Sequence, residues 1–187
     1  MIDLKKAKLP QAVKVGGRFF AIHTDFKYIL RFRELLSDKH TPLTAFDFMY
    51  KNEIPAGRLG GIAAIYEFMN PPRELPRSTG EESGDIVLDY DQAASYIYAA
   101  FLEQYGIRLN EVDMSWREFS DLLSCLSADT ALGRVVTIRS EDDAEVLKNF
   151  TKGQKEIREE WRKRHRKEQT QAEYDASMHA LLAMALA

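Results

Sequence analysis

The chain has 187 residues, 45% of them hydrophobic and 11% aromatic, which is enough apolar material for a real core and excludes a disordered polymer. Its formal net charge of −3 gives no global basic signature for nucleic acid. A single cysteine, Cys125, excludes an internal disulfide and fits a reducing cytoplasm.

The N-terminus, MIDLKKAKLPQAVKV, lacks the apolar core of a signal peptide, and no apolar run approaches the roughly 20 residues of a membrane span. Residues 13–22, VKVGGRFFAI, are two short alternating runs around Gly16-Gly17, a two-residue hairpin signal. Val13 should face Phe20 on the buried side and Lys14 should face Phe19 on the other. Such a hairpin is marginal alone and must pack on helices.

Thr24 and Asp25 offer an N-cap. Phe26, Ile29, Leu30 and Leu36 then predict an amphipathic helix to about Ser37. Pro42 suits the first turn of a second helix, through Phe46 and Met49 to Tyr50, and Asn52 to Pro55 should break it. A third helix is predicted from about Gly57 to Met69. Residues 70–85, NPPRELPRSTGEESGD, have linker composition.

The run Asp89 to Arg139 carries the clearest signals. Asp89 or Asp91 can cap a helix whose apolar stripe is Ala93, Ala94, Ile97, Tyr98, Phe101, Leu102 and Tyr105, and Gly106 can supply its left-handed end. Ser115 with Glu118 is a capping box opening a helix with Trp116, Phe119, Leu122, Leu123 and Leu126 inward. Cys125 is expected on that apolar side as a buried thiol. A shorter helix follows the Asp129-Thr130 cap, with Leu132, Val135 and Val136 inward. The first two should form an antiparallel hairpin closed by the third. The expected core comprises Phe20, Phe26, Leu30, Ile62, Ile97, Phe101, Trp116, Phe119 and Leu123.

Residues 141–169 are highly charged, with possible i,i+4 pairs Glu159–Lys163 and Glu160–Arg164. They predict a long solvated helix leaving the globule. The tail beyond Ala172 places Met178, Leu181, Leu182 and Ala185 at helical spacing. The fold expected is mainly α: a multi-helix globule with a small N-terminal β-hairpin and a protruding C-terminal helical arm. Residues 1–140 form the core domain, with a loop at 70–88 and the helical hairpin at 89–139, and residues 141–187 form the arm and Ala-rich tail.

Nothing in the pattern calls for catalysis, a metal or a cofactor. His23, His40, His165 and His179 include no i,i+4 pair and none neighbours Cys125, against a zinc site. AGRLGG, residues 56–61, lacks the Gly-Lys-Ser/Thr of a phosphate loop and reads as a helix start. The paired carboxylates suit helix caps better than acid–base work. The binding candidates are Tyr96, which falls off its helix's apolar face, the basic residues Arg162, Lys163 and Arg164, and the tail residues Met178, Leu181 and Leu182. The tail stripe, exposed on a monomer, predicts self-association.

The block DYDQAASYIYAAFLEQYGIRL, followed by SWREFSDLLSCLSADTALGRVVTIR, resembles the bacteriophage gp-fifteen family, small proteins of tailed phages and prophages of Gram-positive bacteria. The opening hairpin and IHTDFKYILRF resemble it too. The chain departs from it at Met114-Ser115-Trp116, where a doubled aromatic is expected, and in the 70–85 loop and the tail. Genes of that family sit between those for the tail tube and tape measure proteins. The resemblance therefore implies a non-enzymatic tail assembly chaperone in the host cytoplasm. It would bind the tape measure protein and recruit tail tube protein, with no established catalytic residues to carry over. The alternatives are a structural tail completion or connector protein of the virion, or a nucleic-acid-binding regulator acting through Arg162–Lys167.

Overall fold

The computed structural model describes residues 9–38, 40–70 and 88–165. They are mainly helical with one two-stranded hairpin, as the sequence pattern predicts. They fall into two compact units. The first holds the described residues up to 70 together with Asp113–Asp121. The second holds residues 88–112 and 122–165.

In the first unit, β1 (Ala12–Val15) and β2 (Arg18–Ala21) pair antiparallel, with Val13 opposite Phe20 and Lys14 opposite Phe19. Gly16 and Gly17 both take positive φ, 54° and 84°. A tight turn matching the strand twist requires this, and it is costly for residues with a Cβ. Val13 and Phe20 are buried and Phe19 is exposed. Helix α1 (Phe26–Ser37) begins where Asp25 Oδ1 accepts the Lys27 amide at 2.8 Å. Phe32 is fully buried there, while Leu30 and Leu36 are only half-buried.

The helix expected after Pro42 is instead a 3₁₀ segment, Leu43–Met49, with Pro42 as its N-cap. The tighter winding has a reason. Phe46 and Met49 are both buried, and three residues per turn set positions three apart on one face. Asp47 is held by Arg58 at 3.0 Å. Helix α2 (Arg58–Met69) packs on β1, with Gly60 close against Val15.

The segment Asp113–Asp121 joins this unit through a short antiparallel bridge. The Phe26 amide donates to Met114 O at 3.0 Å and the Trp116 amide donates to Thr24 O at 2.7 Å. Asp25 Oδ2 also accepts the Met114 amide at 3.2 Å, so one carboxylate caps α1 and holds a segment distant in sequence. Helix α4 (Trp116–Ser124) opens on the Ser115–Glu118 capping box: the Glu118 amide donates to Ser115 Oγ at 3.2 Å. Phe119 stacks on Phe26 at 4.5 Å, and the Trp116 indole N–H donates to Met69 O at 2.9 Å.

In the second unit, Asp89 accepts the amides of Asp91 and Gln92, closing a turn that precedes helix α3 (Ala94–Tyr105). Gly106 ends α3 in the left-handed conformation, φ 69°. The buried face of α3 is narrower than predicted: Ala93, Ile97, Ala100 and Phe101 are inside, while Leu102 is exposed. Helix α5 (Ala131–Ser140) is capped by Thr130, whose hydroxyl accepts the Gly133 amide. Its Leu132 is buried.

Helix α3 packs on α5, where the sequence reading set α4 as its partner. Polar clamps explain this. Tyr105 Oη donates to Leu122 O at 2.8 Å, Gln104 donates to Cys125 O, and the Ser127 amide donates to Gln104 Oε1 at 2.7 Å. The first of these bonds ties the end of α3 to the last turn of α4, and the other two fix the loop entering α5 against it. Cys125 lies just past the end of α4 and is exposed, not buried as expected. Leu123, expected in the core, is half-buried.

The charged arm is helical, as α6 (Ala144–Lys148) and α7 (Lys152–His165). It does not stand off from its unit: α7 packs on α5 and Trp161 is buried. One buried indole replaces the continuous apolar stripe the charged sequence lacks. Met178, Leu181, Leu182 and Ala185 lie outside the described residues, as does the expected 70–85 linker apart from Asn70.

Candidate interaction surface on α5 and α7

Arg139 lies in the last turn of α5. Its guanidinium carbon sits 3.5 Å from the centre of the Trp161 ring on α7, within the range of strong stacking and cation–π attraction. Its Nε is buried with no hydrogen-bond partner. Among the described residues Arg139 makes no hydrogen bond or ion pair. Burial lowers its pKa. Tyr96 and then Asp89 oppose that shift, and Arg164 adds to it by like-charge repulsion. An arginine remains protonated even so.

The neighbouring cations differ from it. Arg158 and Arg162 both donate to Asp142 Oδ1, the first at 2.9 Å, and Arg158 Nε donates to Glu141 O at 2.8 Å. Arg164 pairs with Glu160 at 3.5 Å. Ile157, one turn before Trp161, is exposed, as is Tyr96 on α3. The surface thus combines a guanidinium with unused donors and apolar side chains beside it. That is recognition chemistry for a planar anion.

Of the residues the sequence singled out, the structure sets Tyr96 and Arg164 in the electrostatic surroundings of Arg139. Arg162 is engaged by Asp142, and Lys163 is exposed. Sequence reading missed Arg139 and Trp161. A lone tryptophan among KEIREEWRKRH was the available signal, because an isolated aromatic in a charged helix marks the buried anchor.

The first unit carries a separate aromatic surface, also missed. His23 stacks on Tyr28 at 4.2 Å with the rings 8° apart, Tyr28 faces Phe48 at 6.1 Å, and Arg31 lies 5.0 Å from the Phe48 centroid. Each contact joins residues whose sequence spacing gives no hint of proximity.

Among the described residues no three His, Cys, Asp or Glu side chains converge as metal ligands would, and no helix is long and apolar enough to cross a membrane. The described residues define a mainly helical protein with a small two-stranded hairpin. A family model described as Bacteriophage Gp15 protein matches residues 62–170, and the chain belongs to that phage family. No curated protein and no solved structure matches the chain.

Proposed function

We propose that this protein is a non-catalytic tail assembly chaperone, acting in the host cytoplasm. It holds the tape measure protein soluble, recruits tail tube subunits and leaves before the virion is complete. The observation that carries the reading is its membership of the phage family across residues 62–170. That span includes the surface around Arg139 and Trp161. Exposed Tyr96, Leu102 and Ile157 suit weak contacts that become effective when many copies line one long chain.

Co-expression with the tape measure protein of the same phage tests this. The expected result is a soluble complex recovered on a tagged copy of this chain. An insoluble tape measure protein, with none recovered, overturns the reading. Mass spectrometry of purified particles supplies the second readout. Absence from virions supports a chaperone, and stoichiometric presence replaces it with a structural tail component.

A further inference from the structure

We infer that the Arg139–Trp161 pair is a docking site for a side-chain carboxylate on an acidic segment of a protein partner. Two observations carry the inference. The guanidinium carbon lies 3.5 Å over the centre of a buried indole, which narrows its rotamers before any partner arrives and so reduces the ordering entropy lost on binding. Its guanidinium makes no hydrogen bond or ion pair among the described residues and its Nε is buried without a partner, whereas Asp142 serves Arg158 and Arg162, and Glu160 serves Arg164. The buried Nε is out of a partner's reach, but the two terminal amino groups of the guanidinium present the parallel N–H pair that a carboxylate accepts in bidentate fashion.

The surroundings favour a protein over a nucleic acid. Tyr96, which lies close enough to act on Arg139, and Ile157, one turn before Trp161 on α7, are exposed and suit apolar side chains next to a glutamate or aspartate. Asp142 and Glu160 are paired with Arg158, Arg162 and Arg164, so carboxylates interrupt the continuous positive track that nucleic acid needs among the described residues.

The inference stands apart from the tape measure reading, because its probe is a blocked octaglutamate peptide added to the full-length protein. Both tryptophans, Trp116 and Trp161, are labelled as 5-fluorotryptophan and followed by fluorine NMR, with lines assigned through Trp116→Phe. The expected result is a saturable shift of the Trp161 line with the Trp116 line unmoved. Arg139→Gln should weaken binding at least about tenfold, a loss of roughly 1.4 kcal/mol. Arg139→Lys keeps the charge, loses the planar fork and should weaken it too. The charge-matched control Lys152→Gln, at the exposed start of α7, should leave affinity nearly unchanged.

Should Arg139→Gln fail to fold, Arg139→Lys alone decides, and an unchanged affinity there overturns the inference. So does a Trp161 line unmoved by octaglutamate, or a shift equally strong in Arg139→Gln. A short DNA duplex that moves the Trp161 line more than octaglutamate does would reassign the site to nucleic acid.

Discussion

Replacing Trp116 with alanine should be among the most damaging single changes to this protein. The indole is 4% exposed, lies 5.8 Å from the Phe119 ring and donates to the carbonyl of Met69, the last residue of α2. Truncation removes a large apolar side chain and leaves a cavity, costing about 3–5 kcal/mol. It also strips a helix-terminal carbonyl of its donor, adding about 1 kcal/mol. The sum, about 4–6 kcal/mol, is comparable to the whole stability of many domains, roughly 5–15 kcal/mol. In a thermal melt followed by circular dichroism it should lower the midpoint by about 10–20 °C. Urea unfolding gives the free energy directly, with Trp161 fluorescence reporting separately on the second unit. Trp116→Phe keeps most of the ring but not the donor and should lose about half as much. A loss under about 1 kcal/mol for the alanine variant would refute the reasoning, because it would mean the indole is not in the core.

Gly133→Ala should destabilise by about 1–3 kcal/mol, although alanine is normally the better helix former. The added Cβ would meet the backbone of Ser127 and Ala128, and an unchanged or raised urea midpoint would show that the loop yields. Asp25→Ala loses both the Lys27 and Met114 amide bonds and should cost about 2 kcal/mol. Asn, with one acceptor oxygen, should recover part of that in the same assay, and a fully stable Asp25→Asn would show that one bond suffices. Tyr50 has its pKa pushed up from 10.0 to about 12, by burial first and by Asp47 second. The folded state therefore holds that proton more tightly than the unfolded chain. The resulting stability is complete below about pH 10 and is lost as pH rises towards 12. Absorbance titration at the tyrosinate band should show a late component missing in Tyr50→Phe, and its persistence in that variant would contradict the assignment.

Local signals in the sequence determined most of the elements. Gly16-Gly17 fixed the hairpin register, Asp25, Ser115 and Thr130 started helices, and Gly106 stopped one. Each works through bonds or backbone angles within a few residues, so each is visible in a short window. The 3₁₀ winding of Leu43–Met49 was not visible, because it follows from burying Phe46 and Met49 together while Arg58 holds Asp47. Cys125 looked buried because the helical pattern was continued past Ser124, where the fold ends the helix. The pairing of α3 with α5 depended on Gln104 and Tyr105 finding carbonyls more than a dozen residues away. The surface at Arg139 is the extreme case. Its character comes from an indole on another helix and from neighbouring carboxylates already engaged by other arginines. Which partner a charge finds is decided by distance in three dimensions, and spacing along a chain does not encode it.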